Sequence, residues 1–217
     1  MILIPVKNLA NAKQRLSPVL SPEERGELAR AMCEDVLDTV SRWPGRPEVA
    51  VVTSDPFAAE LAARFDFQAI ADELNPGETA AIEMATAVCM ERGARSTLVI
   101  PADIPLIAVS ELQQIMESAE GAGAVLVPDA ARRGTNAVLR APADLFPLRF
   151  GNDSFLPHLA AARATGLRCV VLELQGIARD IDRPEDLQAL ATAGGNRRSQ
   201  ELVRSWKLEA REQVVSG

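Results

Sequence analysis

Short apolar runs alternate with helix-start signals along this chain, and that alternation leaves few folds open. Ile2–Val6 is an unbroken apolar run, the pattern of a strand covered on both faces. Ser21-Pro22-Glu23-Glu24 then supplies a serine cap, a proline at the first helical position and a glutamate three residues after the cap. The helix it opens extends to about Trp43 and stops before Pro44-Gly45. Val49–Thr53 reads as the second strand, and Ser54-Asp55-Pro56 caps an alanine-rich helix. Residues 67–71 are expected as the third strand, 79–92 as a helix ending at Gly93, and 97–100 as the fourth strand. Ser110 opens a further helix. Ala124–Pro128 and residues 136–140 form a close strand pair, which breaks the alternation and implies one antiparallel member. A helix over 155–165, a strand over 169–174 and a helix over 184–193 complete the series. The expectation is an α/β fold of three layers (α/β/α, Rossmann-like), with a mostly parallel sheet.

The length, 217 residues, suits one such domain over residues 1–193. From Gly194-Gly195 onward the chain becomes rich in charge and poor in core residues, so 194–217 reads as a mobile or partly helical tail. A second reading makes it a contact between copies in a homodimer. The apolar start is short and lacks a basic leader, no run approaches membrane-spanning length, and a cytoplasmic location is expected. A net charge of −7 argues against a nucleic-acid partner. Cys33, Cys89 and Cys169 are far apart and odd in number, as reduced thiols are, and a single histidine, His158, excludes a histidine-rich metal centre.

Ligands of open parallel sheets bind beyond the carboxyl ends of the strands, and several segments there could carry chemistry. Pro5-Val6-Lys7 through Lys13-Gln14-Arg15-Leu16 follows the first strand and places Lys7, Lys13 and Arg15 close together in an acidic protein. Small residues between them let backbone N–H groups approach an anion, while lysine and arginine supply charge and a planar fork for phosphate oxygens. The loop matches neither the P-loop nor the dinucleotide fingerprint, and it reads equally as a basic surface loop. Pro101-Ala102-Asp103-Ile104-Pro105 sets an aspartate at the end of a buried strand, placed either to hold Mg²⁺ or to serve a turn or cap. Asp180 and Asp182 alternate with Ile181 and share one side of an extended segment. Asp182 is the favoured second metal ligand, with capping of the helix at Pro184 as the other reading. Arg133-Gly134-Thr135-Asn136 precedes a strand. Phe150-Gly151-Asn152-Asp153-Ser154 precedes a helix, where Ser154 is an anion seat or an ordinary cap. His158 either assists that anion or is structural.

Taken in order, Ile-Pro-Val-Lys with Lys-x-Arg-Leu, Pro-Ala-Asp-x-Pro, Gly-Thr-Asn, Phe-Gly-x-x-Ser-x-x-x-His and Asp-x-Asp-x-Pro-x-Asp-Leu resemble the guanylyltransferases of coenzyme F420 biosynthesis. Those enzymes act on 2-phospho-L-lactate, phosphoenolpyruvate or 3-phosphoglycerate. The resemblance covers about residues 1–192 and implies a GT-A-like nucleotidyltransferase fold. It implies that Pro5, Val6, Lys7, Lys13, Arg15 and Gly77 bind GTP, with Asp103, Lys13 and Arg15 catalytic. It implies Mg²⁺ on Asp103 and Asp182, and a phosphorylated three-carbon acid on Thr135, Gly151 and Ser154. One segment departs: where the family often has Gly-Leu-Asn, this chain has Asn75-Pro76-Gly77-Glu78-Thr79, so contacts to the base are not carried over. Rival readings are a related nucleotidyltransferase acting on a molybdopterin or sugar phosphate, a GT-A glycosyltransferase, and a non-catalytic nucleotide-binding regulator.

Overall fold

A computed structural model describes residues 1–72 and 77–208. Seven strands form one sheet in the order β3-β2-β1-β4-β6-β5-β7. They are β1 (Ile2–Val6), β2 (Val49–Thr53), β3 (Gln68–Ala71), β4 (Thr97–Val99), β5 (Ala124–Pro128), β6 (Thr135–Arg140) and β7 (Cys169–Val171). Every pairing is parallel except those of β6, which runs antiparallel to both β4 and β5. The link from β5 to β6 spans only residues 129–134, too short for a crossover helix, so β6 must reverse.

The helices are α1 (Pro22–Ser41), α2 (Pro56–Arg64), α3 (Glu78–Glu91), α4 (Val109–Ser118), α5 (Phe155–Ala164), α6 (Pro184–Thr192) and α7 (Arg198–Trp206). The start of α1 is closed by the expected capping box, with Ser21 and Glu24 exchanging hydrogen bonds. Asp55 caps α2 through the N–H groups of Phe57 and Ala58. Ser110 does not open α4 as expected. That helix starts at Val109, and Glu111 reaches back to the N–H of Ala108.

Two apolar layers cover the sheet. Ile2, Ile4, Val49, Val51, Leu98 and Val125 face one way with α1 residues Val36, Leu37 and Val40. Leu3, Ala50, Val52, Val99, Leu126 and Val138 face the other way, with Ile82 of α3 and Phe155 of α5. Successive residues of one strand thus feed opposite layers, as the pleat requires. A third cluster joins Leu28 and Met32 of α1 to Leu187 and Leu190 of α6 and Val203 of α7.

The docking of α7 is mainly polar. Asp35 of α1, 2% exposed, accepts from the backbone N–H groups of Arg198 and Ser199 and from the Ser199 hydroxyl. It therefore caps a helix that begins far along the chain. Gln200 donates to the Leu190 and Ala193 carbonyls, and Arg197 to Thr39 and the Ile107 carbonyl. Among the described residues no helix is long and apolar enough to cross a membrane.

β1 lies between β2 and β4, and the chain leaves it in one direction for β2 and returns on the other side for β4. This switch point opens a crevice beyond the carboxyl ends of β1 and β4. Because β6 is reversed, its amino end, Thr135-Asn136, comes to that same edge.

Candidate active site

A cavity of about 810 Å³ occupies this edge. Its walls include Arg15 and Asp103 near the switch point, Thr135, Gly151 and Ser154 from the β6–α5 side, and Asp182 from the segment before α6. Pro5, Val6, Lys7, Lys13 and Gly77 are not on its walls. Pro5 and Val6 end β1, and Lys7 is exposed beside them.

After β1 the chain makes two single 3-10 turns, Leu9–Asn11 and Gln14–Leu16. Lys13 joins them in the left-handed conformation, with φ 56° and ψ 40°. A non-glycine residue there costs on the order of 1 kcal/mol. The conformation turns the lysine inward, where its side chain is 8% exposed and its Nζ donates to Asp103 Oδ2 at 2.6 Å. The same nitrogen lies 3.8 Å from Asp182 Oδ1. Burial alone would lower the Lys13 pKa, but Asp103, Asp182 and Asp180 outweigh it and hold the ammonium above its ordinary value. Arg15 donates through Nη1 to Asp182 and through Nη2 to Asn152 Oδ1 at 3.3 Å. The surface-loop reading therefore fits Lys7 and not Lys13.

Neither carboxylate is a helix cap. α4 begins at Val109, well past Asp103. At α6 it is Asp186 that accepts the backbone N–H groups of Asp182 and Arg183, leaving the Asp182 carboxylate to the cations. Asp103 and Asp182 are tied through the backbone as well, since Ile181 N–H donates to the Asp103 carbonyl at 3.0 Å. Asp180 takes a separate course and accepts from Asn136 Nδ2 at 3.2 Å. Burial and the charge of Asp103 raise its pKa.

On the β6–α5 side Thr135, Ser154 and His158 form a buried group of uncharged polar side chains. Ser154 does not cap α5 through its side chain. The β5–β6 ladder is irregular at Val127 and Pro128, and here Thr135 N–H donates to Ser154 Oγ at 3.0 Å. The two hydroxyls are 3.4 Å apart. Thr135 Oγ1 also meets His158 Nδ1 at 3.0 Å, and Arg149 N–H donates to His158 Nε2 at 2.7 Å. Burial, followed by the charge of Arg140, lowers the His158 pKa to about 4, so the ring is neutral near pH 7. The loop before β6 is held by Asp129, which accepts from the N–H groups of Arg133 and Gly134. A Cβ at Gly134 would come within 2.8 Å of Asp129 Oδ2, so a larger residue there would push the carboxylate off these N–H groups. Gly151 takes φ 128°, which glycine alone adopts readily.

Gly77, with φ 118°, stands at the amino end of α3. Glu78 reaches the cavity wall, and burial, then Asp103, raise its pKa against the lowering pull of Lys7 and Lys13. Thr79 Oγ1 accepts from Phe150 N–H at 2.9 Å and ties α3 to the β6–α5 side. Asn75 and Pro76 lie outside the described residues. Sequence reasoning did not single out Asn136, Asn152, Asp129 or Glu78 as site groups. Asp129 had a signal, since it follows a buried strand as Asp103 does. Asn152 and Asn136 had none beyond their neighbours.

The family model described as "Guanylyl transferase CofC like" matches residues 1–216. The chain belongs to the CofC-like guanylyltransferase family. Among the relatives of this family member is the phosphoenolpyruvate guanylyltransferase of Rubrobacter xylanophilus, 40% identical over 89% of this chain and 94% of that protein. The 3-phospho-D-glycerate guanylyltransferase of Colwellia psychrerythraea is 32% identical over 88% and 90%. The 2-phospho-L-lactate guanylyltransferase of Methanothermobacter thermautotrophicus is 33% identical over 93% and 88%. A structure from Desulfovibrio desulfuricans named for the nucleotide-diphospho-sugar transferases superposes with a TM-score of 0.79 at 18% identity, covering 97% of this chain and 96% of that one. It shows that this CofC-like chain shares their fold, as the strand order and the resemblance implied.

Proposed function

We propose that this chain joins GTP to a phosphorylated three-carbon acid with release of pyrophosphate, a step in coenzyme F420 biosynthesis. The observation that carries the reading is the division of one cavity into two chemically different sides. One side presents Asp103, Asp182 and Arg15, with Lys13 buried behind the two carboxylates, and the other carries Thr135 and Ser154 with their neutral hydroxyls. At about 810 Å³ the cavity lies within the range of small-molecule sites.

GTP is assigned to Pro5, Val6, Lys7, Lys13, Arg15 and Gly77, of which Arg15 is on the cavity wall. The three-carbon acid is assigned to Thr135, Gly151 and Ser154. Asp103 and Asp182 fit Mg²⁺: both carboxylates converge on one Lys13 nitrogen, and magnesium takes one or two carboxylates with substrate phosphates as its other ligands. When bound, the ion neutralises and orients phosphates.

A phosphate oxygen of the acid attacks the α-phosphorus of GTP in line. A P–O–P bond forms, the bond to the β-bridging oxygen breaks, and pyrophosphate departs with the electron pair. The acid's phosphate is already ionised near pH 7, so no base is needed, and the protein's task is positioning and charge balance. Lys13 and Arg15 supply the charge, and Thr135 and Ser154 hold the acid. The relatives' names divide among three acids, so the class and not the member is proposed.

Pyrophosphate release from GTP, measured with each acid in turn and coupled to product capture, tests the reading. Release with one of the acids, and much less with ATP or CTP, is the expected result. Silence with all three acids sinks it. Turnover only with a sugar phosphate or a molybdopterin would instead place the chain with its wider relatives.

A further inference from the structure

Proton counting around His158 shows that the hydroxyl pair on the β6–α5 side has a fixed polarity. Arg149 N–H can only donate, so His158 Nε2 accepts and carries no proton. The neutral ring therefore bears its proton on Nδ1. That proton points at Thr135 Oγ1, 3.0 Å away, which here must accept. Thr135 N–H donates to Ser154 Oγ. Two hydroxyl protons remain, and the 3.4 Å contact between the oxygens uses one of them. The other has no acceptor in the cluster, and Thr135 and Ser154 both line the cavity.

We propose that His158 is a positioning residue: by donating to Thr135 it leaves one hydroxyl proton of the Thr135–Ser154 pair free to donate to an anionic oxygen of the acceptor. The opposite tautomer would accept the Thr135 proton and consume the donor. Arg149 N–H forbids it. Phe150 meets the imidazole edge-on at 5.1 Å and Phe146 lies at 6.4 Å, which hold the ring's orientation. Ser154, Thr135 and His158 are 3%, 6% and 1% exposed, so water competes poorly for these groups. The cluster brings no charge of its own and suits a ligand already neutralised elsewhere in the cavity. This inference rests on the acceptor reading of Thr135 and Ser154.

The test is a double-mutant cycle with separate KM values for the acid and for GTP. His158→Gln keeps an acceptor for Arg149 N–H but removes the donor to Thr135. It is expected to raise the acid's KM about tenfold, the size of one hydrogen bond of about 1.4 kcal/mol, and to leave the KM of GTP within twofold. In a Thr135→Val background the same change should add less than twofold, because the hydroxyl it orients is gone. His158→Asn, whose amide N–H falls near the Nδ1 position, should recover part of the loss. Equal effects of His158→Gln in both backgrounds, or equal shifts in both KM values, would show a merely structural histidine and overturn the proposal. Should the His158 variants fail to fold, Thr135→Ser against Thr135→Val decides: an unchanged acid KM in Thr135→Val overturns it. An unmutated protein that releases no pyrophosphate with any acid defeats the function and this inference together. An additive cycle in an active enzyme defeats only the role of His158.

Discussion

Lys13 and Asp103, 90 residues apart in sequence, form a 2.6 Å ion pair in which the same ammonium also faces Asp182 at 3.8 Å. The two candidate metal ligands are thus tied to one internal cation.

Asp103→Asn should remove most turnover and leave the fold intact. The amide keeps the volume of the carboxylate but cannot balance a cation, and a loss of about 10²–10³-fold in kcat is expected, typical of removing one electrostatic contact to the transition state. Pyrophosphate release in saturating Mg²⁺, read beside the circular dichroism spectrum, checks it. Near-normal activity would remove Asp103 from the metal site.

Ser154→Ala should raise the acid's KM by about tenfold, equivalent to one hydrogen bond, and GTP's KM by far less. The helix that follows should not suffer, because the Ser154 side chain does not cap it. Initial rates with each substrate varied in turn give both constants. Parallel shifts would place the acid elsewhere.

The buried His158 predicts a specific acid sensitivity. Its pKa is lowered to about 4 in the folded protein from an ordinary 6.5. The unfolded chain therefore takes up this proton first as pH falls. The stability is fully present above about pH 6.5 and is lost on descent toward pH 4, by about 3 kcal/mol in all. Urea unfolding at pH 7 and pH 4.5 should show a smaller drop for His158→Gln than for the parent. Identical drops would contradict the neutral buried ring.

Asp35→Ala should loosen α7 without touching the cavity. It removes three hydrogen bonds from one buried carboxylate, a loss of about 2–3 kcal/mol. A lowered Tm and earlier proteolytic release of the C-terminal segment are the expected signs, with the KM values of both substrates unchanged. An unaltered Tm would mean that α7 is held by Val203 and its apolar neighbours alone.

The alternation of elements, the lone reversed strand and the order of the site segments were legible because each depends on local signals: apolar runs, caps and a short turn. Partner choice among side chains was not. Nothing local shows that Ser154 leaves its own helix for the N–H of Thr135, or that Lys13 turns inward through a left-handed backbone. The seating of α7 was hidden for another reason. Its anchors are mostly polar, Asp35, Arg197 and Gln200, with Val203 the one buried apolar residue of the helix, so apolar content gives little sign of it. β7 is shorter than its apolar run, ending at Val171, although Leu172 N–H still donates to the Leu126 carbonyl at 3.0 Å.

The reversal of β6 also bears on how such proteins could diverge. Thr135, Gly151, Ser154 and His158 all lie in one continuous stretch that begins at a tight turn and ends in the first turns of α5. The loop that carries Lys13 and Arg15 lies near the amino end of the chain, and Arg15 to Asn152 is a side-chain link between them. The stretch is in effect a cassette. Its loops could be rewritten, or exchanged whole between relatives, while the rest of the machinery stayed as it was.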